Sequence, residues 1–172
     1  MIEDFDKYQA LNAIRVSREI LQDYIISFDW DNDTKFEKIT DEIIKKHGVL
    51  DRDIYYIGGV GDDTSEFAKL KDNQIIPFGE HTELVKRGDE ERHHYFYRSK
   101  VVLIFGKHKH KTFAERLKPL NNNIILYLFI DGKIKKVMVK KGEEYIIPAN
   151  IWHLVYFPKP NEIELDWVKE ER

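Results

Sequence analysis

Lys107-His108-Lys109-His110-Lys111-Thr112-Phe113-Ala114-Glu115 is the stretch on which the reading of this chain turns. Residues 107–111 alternate strictly between lysine and histidine. Successive side chains of a β-strand point to opposite faces, so His108 and His110 fall on one face and the three lysines on the other. Glu115 comes five residues after His110, and His153 stands far downstream, behind Gly142, Pro148 and an Ala149-Asn150-Ile151-Trp152 turn. Three imidazoles and one carboxylate compose a nitrogen–oxygen donor set for Fe(II), Mn, Ni, Zn or Cu. Such a set leaves positions of an octahedral ion open to substrate, water or dioxygen.

Outward from this stretch the second half of the chain reads as strand. His94 to Phe105 is rich in aromatic and β-branched residues. Ile124–Ile130 and Ile134–Val139 flank Asp131-Gly132, a strong hairpin signal. Tyr145–Ile147, Trp152–Phe157 and Ile163–Val168 bring the expected total to about seven short strands, which implies a barrel or double-sheet roll.

Residues 108–122 resemble the first motif of the cupin superfamily, HxH-x4-E-x6-G, with Asn122 at the glycine position. Asn is the non-glycine residue best suited to left-handed geometry, so the turn is expected to survive. Residues 142–153 resemble the second motif, G-x5-P-x4-H, through Gly142, Pro148 and His153. Asn150 stands where that motif commonly has glycine, and Pro119 falls in the strand after Glu115, where proline is tolerated at an edge or a bulge. The resemblance covers about residues 92–168. It implies a small metal-binding β-barrel (a double-stranded β-helix) with His108, His110, Glu115 and His153 as ligands of one divalent ion, Fe, Mn, Zn or Ni. It also makes a homodimer the default expectation, since cupins often pair their barrels.

The first half reads differently. Leu11, Ile14, Leu21, Tyr24, Ile25 and Phe28 recur at helical steps, predicting a helix over about 4–27. Thr34 and Glu37 form a capping box for a second helix that ends near Gly48. A strand at 53–57, a glycine turn at 58–61 and a short helix opened by Asp63 follow. Residues 72–91 read as loop, with one helical turn near 80–86. The expected fold class is therefore α+β and mainly β: an acidic helical extension over 1–91 packed on a cupin-like barrel over 92–172.

Charge follows the same division. Residues 1–91 carry a net charge of −10, residues 92–141 of +11 and residues 142–172 of −4. Either the acidic half docks on the basic segment, or that segment draws in an anion. A nucleic-acid surface along Lys107, Lys109, Lys111, Lys133, Lys135 and Lys136 is the least favoured reading, because no aromatic residues interleave on that face. The chain has no cysteine, which excludes disulfides, thiolate metal sites and cysteine nucleophiles. The acidic N-terminus is followed by no apolar segment of signal-peptide type, and the longest apolar run, Ile124–Ile130, falls far short of a membrane span. A soluble, cytoplasmic protein is expected.

Two functions follow as expectations. One is a metal-dependent enzyme acting on a small anionic metabolite, by dioxygenase chemistry or by sugar or hydroxy-acid isomerisation. The other is a non-catalytic module that binds a sugar or metabolite. Tyr97, Arg98, Tyr127 and Phe129 are the candidate pocket residues, with Arg98 the first choice to hold a carboxylate or phosphate. Ile151 and Val155 are expected to share the face of His153. His81, His93 and His94 lack ligand spacing and are read as surface or rim residues. Asp29, Asp31 and Asp33 begin like a calcium loop, but Thr34 and Thr40 replace its required Gly and Glu.

Overall fold

The computed structural model describes residues 14–16, 54–57, 70–78, 81–88 and 93–169. Twelve strands run through them: β1 (Ile14–Val16), β2 (Ile54–Ile57), β3 (Ile75–Phe78), β4 (Thr82–Arg87), β5 (His94–Ser99), β6 (Val102–His108), β7 (Phe113–Pro119), β8 (Ile124–Ile130), β9 (Lys133–Val139), β10 (Tyr145–Ile147), β11 (His153–Phe157) and β12 (Asn161–Lys169). They form two six-stranded sheets, ordered β1-β2-β6-β11-β8-β9 and β10-β7-β12-β5-β4-β3. Neighbours are antiparallel throughout, except that β2 runs parallel to β6. From β6 onward the chain passes back and forth between the sheets, so each sheet lays its apolar face on the other.

The strands alternate as a half-buried sheet requires. β5 buries Tyr95, Tyr97 and Ser99 and turns His94, Phe96 and Arg98 the other way. β12 does the same with Ile163 and Leu165 against Glu162, Glu164 and Asp166. Leu103, Leu126, Leu128, Val155 and Phe157 from the first sheet meet Leu84, Tyr95, Tyr97, Leu117, Ile147, Ile163 and Leu165 from the second in one core. β11 is buried along its whole length, as expected of a strand between two neighbours.

The mainly-β expectation holds, and its helical part changes. Within the helix expected over 4–27, residues 14–16 form β1 and pair with β2, while the rest lies outside the described residues. The helices expected from Thr34 and from Asp63 also lie outside them. The strand expected at 53–57 is β2. The loop expected over 72–91, with its helical turn at 80–86, is corrected to β3 and β4, which pair with each other, β4 pairing in turn with β5. Glu83, Leu84 and Lys86 favour helix locally, but Leu84 sits opposite Tyr97 in the core, and cross-strand burial outweighs a propensity of a few tenths of a kcal/mol, about the size of that term. The preceding turn is held by side chains: Gly88 N–H donates to Asp72 Oδ1 at 2.9 Å, Arg87 donates to Asn73 Oδ1, and Asn73 takes φ 64°.

Two asparagines at expected glycine positions behave differently. Asn150 is left-handed, with φ 63°. Asn122 is not among the positive-φ residues, so its expected left-handed turn is corrected. Asn161 holds that turn instead. Its buried Oδ1 accepts the N–H groups of Asn121 (3.0 Å), Asn122 (3.1 Å) and Glu162 (2.8 Å). Asn161→Ala is expected to lower unfolding stability by about 1–3 kcal/mol, because it strands these donors, and urea denaturation of the variant measures it. Pro119 ends β7 beyond the reach of β10, which pairs only with Glu115–Leu117, so no ladder bond to β10 is lost there.

Candidate metal centre

β6 ends at His108, and Lys109 and His110 lie beyond the strand. The continuous strand expected over 107–111 is therefore corrected. The chain leaves the ladder because His110 C=O accepts the N–H of the left-handed Asn150, at 2.7 Å. Lys109 is half-buried with its ammonium 4.7 Å from the Trp152 ring centre, so it is not simply on the outside as the alternation predicts. His108 pairs across the ladder with His153 through its backbone, and a bulge follows between His153 and Val155.

His110, Glu115 and His153 are brought together from the end of β6, the start of β7 and the start of β11. All three are buried, at 4%, 4% and 1% exposure. One ligand atom from each lies within 4.8 Å of the others. Glu115 Oε2 is 2.9 Å from His153 Nε2 and 3.7 Å from His110 Nε2. His153 Nδ1 lies 2.8 Å from the Ile151 carbonyl oxygen, which only accepts, so Nδ1 carries the proton. In neutral His153 the Nε2 lone pair then faces a carboxylate oxygen, and a cation must sit between them: a proton or a metal ion. The carboxylate's other oxygen is taken, since Trp167 Nε1–H donates to Glu115 Oε1 at 3.2 Å. These outer bonds fix the orientation of both side chains, as bonds behind metal ligands do. Burial by itself would raise the Glu115 carboxyl, but the imidazoles of His110 and His153 outweigh it and hold the group well below the ordinary carboxylate range.

The sequence reading passed over the aromatic wall of this site. Trp167 stacks tilted on His110, ring centres 5.2 Å apart, and on His93 at 6.1 Å. His93 also meets Phe113 at 4.9 Å, and its Nδ1 lies 3.2 Å from the Tyr95 hydroxyl. Lys86 is fully buried with its ammonium 4.8 Å from the Tyr95 ring centre. Desolvation, then Lys86, then His110 lower the His93 imidazole from its ordinary value. The period-two run Ile163, Leu165, Trp167 was the available signal for Trp167: it places the indole on the core face of β12.

The expected pocket residues lie elsewhere. Arg98 is corrected from an inward anion holder to an outer-face residue, half-exposed and paired with Glu83 (3.3 Å) and Glu162 (3.2 Å). It also lines an open cleft of about 510 Å³ with His81, Ser99, Asn121 and Asn161, at the opposite end of β5 from His93. Tyr97 belongs to the core, edge-on to Phe157, in register with Ile163. Ile163 is four residues along β12 from Trp167, or about 13 Å. Tyr127 and Phe129 stand on the other face of β8 from Leu126 and Leu128, hence away from His153, which is opposite Leu128. Val155 shares the His153 face and packs in the core, with Ile151 against it.

Two facing sheets thus carry His110, Glu115 and His153 at the motif spacings and close them on one point. The fold is that of a cupin. Solved cupin structures are similar to it. A variant of oxalate decarboxylase from Bacillus subtilis aligns with TM-score 0.49 and 14% identity over 57% of this chain and 28% of that one. An RmlC-like cupin from Shewanella frigidimarina aligns with TM-score 0.45 and 12% identity, over 58% and 86%. The CENP-C cupin domain of Drosophila melanogaster does so with TM-score 0.45 and 13% identity, over 58% and 80%. No family model and no curated protein sequence matches the chain. Among the described residues no helix is long and apolar enough to cross a membrane.

A second trio, His94, Glu164 and Asp166, lies on the half-exposed outer face of β5 and β12. His94 Nε2 is 3.0 Å from Glu164 Oε1, and Lys118 and Arg116 stand in register beside the two carboxylates. Cations already neighbour these acids, so they read as a cross-strand charge network.

Trp167→Phe keeps the ring and removes the indole N–H. It is expected to weaken metal affinity about tenfold or more while the protein stays folded, as measured by competition with a chromogenic chelator.

Proposed function

We propose that this cupin is a metal-dependent enzyme acting on a small anionic molecule, with His110, Glu115 and His153 as ligands of one divalent ion and His108, at the same strand end, as the fourth. The observation that carries the reading is the 2.9 Å approach of His153 Nε2 to Glu115 Oε2 while His153 Nδ1 is committed to the Ile151 carbonyl. The set suits Fe, Mn, Zn or Ni, and a bound ion would supply either dioxygen chemistry or Lewis-acid polarisation of substrate oxygens. The residues of the chain do the rest. Trp167 orients the carboxylate, and Trp167, His93 and Phe113 wall the site with rings that exclude water. The +11 charge of residues 92–141 favours an anion.

The test begins with metal analysis of the purified protein. The metal-loaded protein is then screened against small carboxylates and sugar phosphates for oxygen uptake and for solvent-deuterium incorporation. Oxygen uptake indicates a dioxygenase, and deuterium exchange an isomerase. Bound metal with neither signal would replace the enzyme reading with that of a ligand-binding module.

A further inference from the structure

β9 forms one edge of the first sheet, and its core-side face changes character along its length. Val139 pairs with Ile124 and Val137 with Leu126, both over the core. The next positions on that face are Lys135, opposite Leu128, and Lys133, opposite Ile130. Leu128 in turn lies opposite His153. Directly opposed residues share a face, so Lys135, Leu128 and His153 form one row on the side of the sheet that carries the candidate metal centre. The switch from valine to lysine therefore falls at the level of His153. Both lysines are exposed, while Lys136, between them and the valines in sequence, points to the opposite face, 6.0 Å from the Tyr127 ring centre. Arg98, the sequence's first choice for an anion holder, is held by two glutamates on the wrong face.

We propose that Lys135, assisted by Lys133, is the anion-recognition element of the site: it holds the carboxylate or phosphate of a small substrate whose other oxygens reach the ion. This rests on the metal reading above. Two strand spacings separate Lys135 from His153, about 10 Å between backbones. The lysine's four-carbon stem and a two- to four-carbon anion bridge that gap together. The substrate class is a short dicarboxylate or a phosphorylated hydroxy compound, with one anionic end for the lysines and one oxygen pair for the metal.

The experiment titrates metal-loaded wild-type, Lys135→Ala, Lys133→Ala/Lys135→Ala and Lys136→Ala proteins with oxalate, malonate and inorganic phosphate by calorimetry, at low and high salt. Metal content is measured in each. The expected result is unchanged metal content in all four, affinity for at least one anion reduced about tenfold in Lys135→Ala and further in the double variant, and wild-type affinity in Lys136→Ala. Added salt should weaken wild-type binding more than that of the double variant. Metal-loaded wild type that binds none of the anions, or equal anion affinity in Lys135→Ala and wild type, would overturn the lysine assignment while leaving the metal reading intact. Wild type that takes up no metal overturns the metal reading instead, and this one falls with it.

Discussion

His153→Ala and Glu115→Gln are each expected to reduce divalent-metal affinity by on the order of a hundredfold or more, since loss of an outer-shell partner alone already costs about 10–100-fold. Both residues are buried and face each other, and each has one polar atom committed elsewhere, to the Ile151 carbonyl and to the Trp167 indole. His153→Ala removes the imidazole donor, and Glu115→Gln exchanges an anionic oxygen for a neutral amide. Metal content after dialysis against a defined metal buffer reads the effect, and full occupancy in either variant would place the metal elsewhere. Metal-free protein adds a pH signature. The Glu115 carboxyl is depressed in the folded state, so its ionised form stabilises the fold fully above its ordinary value of 4.5 and ever less as pH falls toward the depressed one. Wild-type stability should therefore fall through that acid window, and Glu115→Gln should flatten the fall; urea midpoints at a series of pH values measure it.

Leu126→Ala should cost about 2–5 kcal/mol of unfolding stability. Leu126 is fully buried on β8, between Val155 of β11 and Val137 of β9, and it belongs to the core shared by both sheets. Those neighbours are held by two ladders and cannot collapse into the cavity. Urea unfolding gives the size of the effect, and metal content below the transition should stay at the wild-type level, because Leu126 lies one row away from His153. A loss under about 1 kcal/mol would mean that the two sheets do not close on this residue.

These outcomes separate what was legible in the residues from what was not. The strands from β8 to β12 were readable, because their apolar and β-branched runs lie between turn signals and Asp131-Gly132 marks the β8–β9 hairpin. β3 and β4 were not. β4 carries the helix-favouring Glu83, Leu84 and Lys86, and it is strand because it is laddered between β3 and β5. The charge alternation at 107–111 correctly drew attention to His110 yet misplaced Lys109, since the strand stops where Asn150 claims the His110 carbonyl.

What the sequence by itself determined is the set of chemical possibilities. Histidines, a glutamate and turn residues at fixed spacings specify a nitrogen–oxygen donor set on a β-framework, because donor chemistry and strand period are local properties. Tertiary structure alone decided which groups share the site. Register across β12 set Trp167 behind Glu115, the backbone before β11 brought the Ile151 carbonyl to His153 Nδ1, and the rows of the first sheet put Lys135 rather than Arg98 on the His153 face. Register is a non-local quantity: a slip of one residue inverts every side chain of a strand, and only the burial of the whole core selects among the alternatives.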